Sequence, residues 1–572
     1  MTAVDLCSIN QNHHQQTRFN NTSVNRRADN NIDVTALKER LGKVDESLKK
    51  ITAIAGTPGL SVGVSYKGEV IHQFSHGLRD VEDKLPFDKN TVIPIGTIAK
   101  TFTASAIGIL VSQKKLTWTS RIRDILPDFR SSDPVVEAEL NVTDLLSHRA
   151  GLARSNLWWQ GSNSVLLLDK KDLLSFYAKL PRAGVFRADW AYSNWGYALV
   201  GAVIEKVSGV SYGEFVRREI IVPLGLERTT FKALNVFDRK ENIAKPYAAL
   251  DDSSPHLLPP PPVNDDTIMG PAMGGASTAA DLLKYSIALL EAQNRESSGD
   301  SSGDFVLKGS LKQLSGHISI APSVLEKTYA LGWYRSQLPG SVLGMGWNSI
   351  YVAKMPQLLP RGHSGPVVSH GGSLPGYHTA IALLPALQAS VVVCTNSIAL
   401  GDVSGWTSLA VLEALIDSPQ PSDFVALATE AASKNATNVS RFEASLSQAR
   451  PGDRKEPLYA LNDYVGTYHD LSRDWKVDVR LNEARSALEI LFRGLESQKW
   501  PLSYYGQDAH GDTFLWLASR EEQAKRCRMT TYPLVANHFK IIFKSDDSGR
   551  VVGIYWPHEA GIQLEEQFLA KL

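Results

Sequence analysis

Apolar positions recur at helical spacing from Val34 to Ile54, where Val34, Leu37, Leu41, Val44, Leu48, Ile51 and Ile54 share one face of a predicted amphipathic helix. The period then changes. Leu60–Tyr66 and Glu69–Phe74 alternate as paired strands do, and Lys67-Gly68 between them supplies a turn. Helical spacing returns near residues 98–114, 141–148, 195–207 and 278–292, and a second strand pair is predicted at 378–384 and 389–395. Strands at both ends of this stretch, with helices between, predict an α+β fold in which one antiparallel sheet is closed by segments remote in sequence.

Two stretches interrupt the pattern. Ser253–Pro262 carries four consecutive prolines and reads as a loop that borders a site, while Arg295–Asp304 reads as a surface insertion too polar to pack. After a helical, Ala- and Ser-rich segment from Ser422 to Ala449, the run Pro451-Gly-Asp-Arg-Lys-Glu-Pro457 signals a domain boundary. Short strands follow at Ala487–Phe492, Thr513–Leu517, Phe539–Phe543 and Val551–Trp556, with a hairpin turn at Asp547–Arg550, so an antiparallel β barrel or sandwich is expected. The chain therefore divides into a flexible tail (1–33), a main domain (34–420), a helical linker (421–457) and a C-terminal β domain (458–572).

Composition narrows the function. The 572 residues carry 60 Lys+Arg against 60 Asp+Glu, a formal net charge of zero, which argues against a nucleic-acid or polyanion binder. Cys7, Cys394 and Cys527 match neither a disulfide framework nor zinc spacing. The polar N-terminus lacks an apolar signal-peptide core and no long apolar run follows, so a cytoplasmic protein with no membrane span is expected. His13-His14 and the widely spaced His363 and His370 have no carboxylate-rich partners, and no P-loop or Gly-rich dinucleotide turn occurs; neither metal nor cofactor is expected.

The chemistry lies in three separated stretches. In Pro94-Ile-Gly-Thr-Ile-Ala-Lys100 a helix beginning at Thr97 places the Thr97 hydroxyl and the Lys100 amine on one face, where the two can meet. Free N–H groups at that helix start favour a developing oxyanion and a neutral amine. Taken alone, this spacing more often marks a capped helix with a solvated lysine. The second stretch sets Tyr192 and Asn194 just before an apolar helix, and the third, Val367-Val-Ser-His370-Gly371-Gly372-Ser373, sets a histidine and paired glycines on a strand.

In that order the three resemble the motifs of the serine beta-lactamase and penicillin-binding-protein superfamily, in the variants of class C beta-lactamase-related esterases, D-aminopeptidases and acyltransferases. Val142–Leu152, Pro223–Leu226, Gly274–Asp281 and Leu331–Trp333 resemble further landmarks of that fold, the last as a strand before the third motif. Tyr464–Tyr468 resembles the opening strand of a lipocalin-like barrel appended to some members. The resemblance implies a beta-lactamase/transpeptidase-like fold and a hydrolase or acyltransferase acting on an ester, amide or thioester. It implies Thr97 as nucleophile, Lys100 as the amine that deprotonates it, Tyr192 as general acid or base, and Asn194 as orienting amide. His370 takes the place of the third-motif lysine, and the backbone N–H groups of Thr97 and Ser373 form the oxyanion hole, with Gly371 and Gly372 admitting the substrate.

The sequence departs from the family at Thr97, where the family has serine. The extra methyl restricts the side chain and crowds the approach of a carbonyl. Three readings stay open: a threonine acyl-enzyme, non-covalent proton transfer by Tyr192 and Lys100 in a lyase, isomerase or cyclase, and a non-catalytic binding protein. Aromatic residues crowd the motifs, at Trp158, Trp159, Trp190, Trp195 and Tyr377. About half belong to core packing, and the rest predict a pocket for a hydrophobic or aromatic small molecule, in keeping with secondary metabolism.

Overall fold

The computed structural model describes residues 33–238, 240–300, 304–361, 364–451, 456–528 and 535–572. The predicted tail, Cys7, His13-His14, His363 and most of the Pro451–Pro457 boundary lie outside the described residues.

Among those residues, nine antiparallel strands form the central sheet, in the order Leu85–Pro86, Glu69–Asp80, Gly59–Tyr66, Ala389–Thr395, Tyr377–Leu384, Gly365–Leu374, Tyr334–Leu338, Lys327–Tyr329 and Ile318–Ser319. The N-terminal hairpin thus pairs with a strand more than three hundred residues later, with Leu60 opposite Thr395 and Tyr66 opposite Ala389. The strand Ala389–Thr395 shows why its sequence reads as a continuous apolar run. Val391 and Val393 pack on one face with the helices Val34–Ala55 and Val403–Leu415, while Val392 and Cys394 pack on the other with Leu283 of the helix Ala279–Ser298. Both faces are covered, so neither alternates with polar residues.

Several predicted elements shift. The helix expected to end by residue 292 continues to Ser298 and is capped by Gly299 at φ 72°, so the start of the predicted surface insertion is helical. Leu331–Trp333, expected as a strand, is a turn between Lys327–Tyr329 and Tyr334–Leu338, with Gly332 at φ 83°. Part of the proline-rich loop forms a strand, Pro255–Leu257, and Leu258 packs with Ala524 and Cys527 of the C-terminal domain rather than bordering the motifs. The helical linker is two packed helices. Phe424–Ala436 buries Ala428 and Ala431 in the main domain, and Asn438–Gln448 leans on the C-terminal domain, where the Tyr505 hydroxyl donates to Leu446 O at 2.7 Å.

The C-terminal domain is a closed barrel of eight strands from Gly466–His469 to Phe568–Lys571, which pair with each other to close it. Aromatic rings pack inside it. At one end Phe543 packs edge-on against Tyr464, Tyr468 and Phe514, and at the other Trp516 packs against Phe492, Trp500 and Phe539. The barrel docks on the loop after Gly151: the Ser162 backbone N–H donates to Gln498 Oε1 at 2.6 Å, Trp500 Nε1 donates to Ser162 Oγ at 3.1 Å, and Trp475 Nε1 donates to Trp158 O at 3.1 Å.

Candidate active site

The first motif sits where chain and sheet come closest. Gly96, at φ 55°, turns the backbone into a short 3₁₀ segment, Gly96–Ile98, that runs into the helix Ala99–Ser112. A Cβ at Gly96 would stand 2.6 Å from the Ser373 backbone N, and one at Gly372 would stand 2.1 Å from Ile95 O. Only glycine permits both approaches, and together they set the Thr97 turn against the strand Gly365–Leu374. Thr379 Oγ1 donates to Ile95 O at 2.9 Å and fastens the same junction.

Lys100 is 0% exposed and has no acidic partner among the described residues. Its Nζ donates to Asn194 Oδ1 at 2.7 Å and to Ala272 O at 2.8 Å. Burial therefore holds its pKa well below the ordinary lysine value. The Tyr192 and Tyr197 rings lie 5.0 and 5.3 Å from the amine. Asn194, 1% exposed, begins the helix Asn194–Ser208, whose N-cap Ser193 accepts from the Gly196 N–H, and its Nδ2 donates to Asn156 Oδ1 at 3.2 Å. The expected meeting of hydroxyl and amine is absent. Thr97 Oγ1 donates instead to Gly371 O at 2.5 Å. The 3₁₀ start turns Thr97 toward the sheet, while Lys100 points down into the core.

His370 is 2% exposed. Its Nδ1 lies 2.7 Å from Gly371 O, which only accepts, so Nδ1 carries the proton and Nε2 accepts from the Tyr329 hydroxyl at 3.2 Å. Burial and the nearby Lys100 push its pKa down to about 3. Beneath Tyr192 lies a second buried histidine, His148. Its Nδ1 accepts from the Ser193 N–H at 3.1 Å, its ring centroid is 4.3 Å from that of Tyr192, and burial lowers its pKa well below the usual value. At neutral pH both imidazoles are neutral.

Thr97, Tyr192, His370, Gly371, Gly372 and Ser373 line one cavity of about 260 Å³, with Lys100 and Asn194 under its floor. Its wider walls are Arg154, Trp190, Met273, Ile320, Tyr334, Leu343, Trp347 and Asp402. The aromatic prediction needs correcting. Trp159, Trp195 and Tyr377 are no more than 1% exposed and belong to the core, and the Tyr377 hydroxyl donates to Ala244 O at 2.7 Å. Trp158 lines a separate cavity at the barrel junction, beside Phe176, Trp475 and Trp556. Trp190, also named from the sequence, does line the cavity at the motifs, joined by Tyr334 and Trp347. Sequence reasoning also passed over His148, Asn156 and Tyr329. His148 stood inside a quoted landmark, but only its position at φ 60° under Ser193 sets it apart, and no local pattern announces that.

A hydroxyl and a buried lysine on one turn, a Tyr-x-Asn beneath and a strand with paired glycines beside them are the three motifs brought to one place. The beta-lactamase family model matches residues 44–410, and the chain belongs to that family. A penicillin-binding protein of Bacillus subtilis is 24% identical over 322 residues, covering 54% of this chain and 62% of the relative. An unguisins hydrolase of Aspergillus violaceofuscus is 24% identical over 441 residues, covering 72% of each chain, and the esterase EstB of Burkholderia gladioli is 26% identical over 234 residues, covering 38% of this chain and 56% of the relative. The octameric penicillin-binding protein homologue from Pyrococcus abyssi has the same fold, with a TM-score of 0.50 at 19% identity over 94% of this chain and all of that one. No helix among the described residues is long and apolar enough to cross a membrane.

Proposed function

We propose that this protein is an acyl-transfer hydrolase that cleaves an ester, amide or thioester of a small apolar molecule through Thr97. The state of Lys100 carries the reading. Burial without an acidic partner favours loss of a proton from the amine, and once deprotonated it has two N–H donors for Asn194 Oδ1 and Ala272 O and a lone pair to accept a proton. As the Thr97 hydroxyl leaves Gly371 O, its proton passes to Lys100 Nζ, directly or through the Tyr192 phenol, and its oxygen bonds to the substrate carbonyl carbon. The Thr97 and Ser373 backbone N–H groups stabilise the oxyanion. Collapse breaks the bond to the leaving group, which takes up that proton, and water attacks the acyl-threonine with the same groups acting in reverse. An amine or alcohol in place of water would make the reaction an acyl transfer. Neutral His370, standing where the family has lysine, adds no charge to the wall, and Met273, Ile320 and Leu343 support an apolar substrate.

Intact-protein mass after incubation with activated acyl esters tests this. An adduct on Thr97 that is absent in Lys100→Ala is expected; Thr97→Ala abolishes turnover and Thr97→Ser preserves or raises it. One observation favours a second reading: the Thr97 hydroxyl faces Gly371 O and not the amine. In a lyase, isomerase or cyclase where Tyr192 and Lys100 move protons, Thr97→Ala would keep substantial activity and Tyr192→Phe would not.

A further inference from the structure

The cavity at Thr97 has a neighbour. Arg154, Trp190 and Trp347 also line a second cavity of about 450 Å³, and the far wall of that cavity belongs to the barrel domain, at Arg528, His538, His558 and Glu559. Arg528 is 8% exposed. Its Nη1 donates to Gln160 O at 3.0 Å, its guanidinium lies 4.9 Å from the Trp516 ring, and its Nε is buried with no hydrogen-bond partner among the described residues. No carboxylate among those residues lies within ion-pair distance of it. The charge nearest in sequence, Arg526, is also positive and stands 3.9 Å from Glu522.

The remaining polar groups of that wall do not neutralise it. The Glu559 carboxylate accepts from the Ser155 backbone N–H at 2.7 Å, and His558 Nδ1 donates to Trp556 O at 2.8 Å, which leaves its Nε2 as an acceptor. Both ring nitrogens of His538 are buried without a hydrogen-bond partner. An arginine taken out of water without an acid is costly, and its planar fork suits a carboxylate. A carboxylate matches the single charge of Arg528, whereas a phosphate monoester would bring about two.

We infer that the substrate of the Thr97 site carries a carboxylate remote from its scissile carbonyl, bound by Arg528 of the barrel while the apolar body lies over Trp190 and Trp347. This rests on the acyl-transfer reading and deepens it: the substrate class is an ester or amide that is also a carboxylic acid, and the barrel supplies its specificity.

Calorimetric titration with 4-phenylbutyrate and with 4-phenylbutyramide, which differ only in charge and one group, tests the site without turnover. The unmodified protein should bind the carboxylate at least about tenfold more tightly than the amide. Arg528→Met should erase that preference and Arg528→Lys should keep part of it, with unfolding midpoints measured to show that both variants fold. Equal affinity for the two probes, no saturable binding of the carboxylate, or an unchanged preference in folded Arg528→Met would overturn the proposal. Should Arg528→Met fail to fold, the probe comparison in the unmodified protein and in Arg528→Lys still decides. Absence of a Thr97 adduct would sink the acyl-transfer reading and leave this binding result standing, so the two failures are separable.

Discussion

The floor of the catalytic cavity and the inside of the barrel are equally buried and are filled in opposite ways. Under Thr97 the buried groups are polar: Lys100, Asn194, Asn156 and His148, each hydrogen-bonded, none with an acidic neighbour in the cradle. In the barrel they are mainly aromatic, with Phe514, Trp516 and Phe543 no more than 2% exposed beside the buried carboxylate of Asp512. A buried amine destabilises a fold unless something else requires it, whereas a buried ring stabilises it by about 1.5–3 kcal/mol. The difference separates a region whose burial costs stability, as the proposed proton transfer requires, from one whose burial adds to it. On the proposal above, it is the barrel's rim, where Arg528 lines the second cavity, that faces the substrate.

The comparison is broken most severely at Lys100. Lys100→Met should lower the rate by about 10³–10⁴-fold while leaving the thermal midpoint unchanged or raising it, because an apolar side chain replaces a buried amine. A clear fall in the midpoint would show the lysine to be structural. Phe543→Ala should have the reverse signature, a loss of about 3–5 kcal/mol in urea unfolding with the chemistry at Thr97 retained by whatever fraction stays folded. A cost below about 1 kcal/mol would mean that the barrel tolerates a hollow interior.

A smaller effect sharpens the contrast through pH. His370 has its folded pKa depressed to about 3, against an unfolded value of about 6.5. Below the unfolded value the unfolded chain binds a proton that the folded chain refuses, so stability is lost as pH falls through that window. The slope is up to about 1.4 kcal/mol per pH unit for this one group. Urea midpoints followed from about pH 6.5 down to about pH 4 should fall less steeply in His370→Gln. Equal slopes would mean that His370 is protonated in the fold.

Much of this was legible along the chain. The periodic segments gave the long helices within a few residues, as with Val34–Ile54 against Val34–Ala55, and the hairpin turn at Lys67-Gly68 stands where expected. The three motifs converge on one cavity because each lies at the end of an element, where backbone direction changes and side chains reach across. The misplaced residues share a cause. Trp159, Trp195 and Tyr377 lie near the motifs in sequence but are buried in the core and do not line the cavity, and a single chain does not say which way such an aromatic turns.

Sequence by itself therefore determined the elements, their order and the residue types that meet at Thr97, because periodicity and turn chemistry act over a few neighbours. Tertiary structure alone decided their states. The Lys100 pKa is lowered because the side chain is buried and its acceptors, 94 and 172 residues away, are not acids. Of the aromatics named from the sequence as crowding the motifs, only Trp190 walls the cavity, together with Trp347 and Tyr334, because the fold brings these remote segments together. Arg528 faces an open volume because a separate domain docks there. Burial and pairing are properties of packed surfaces, and the partners that set them lie too far along the chain for any local pattern to record.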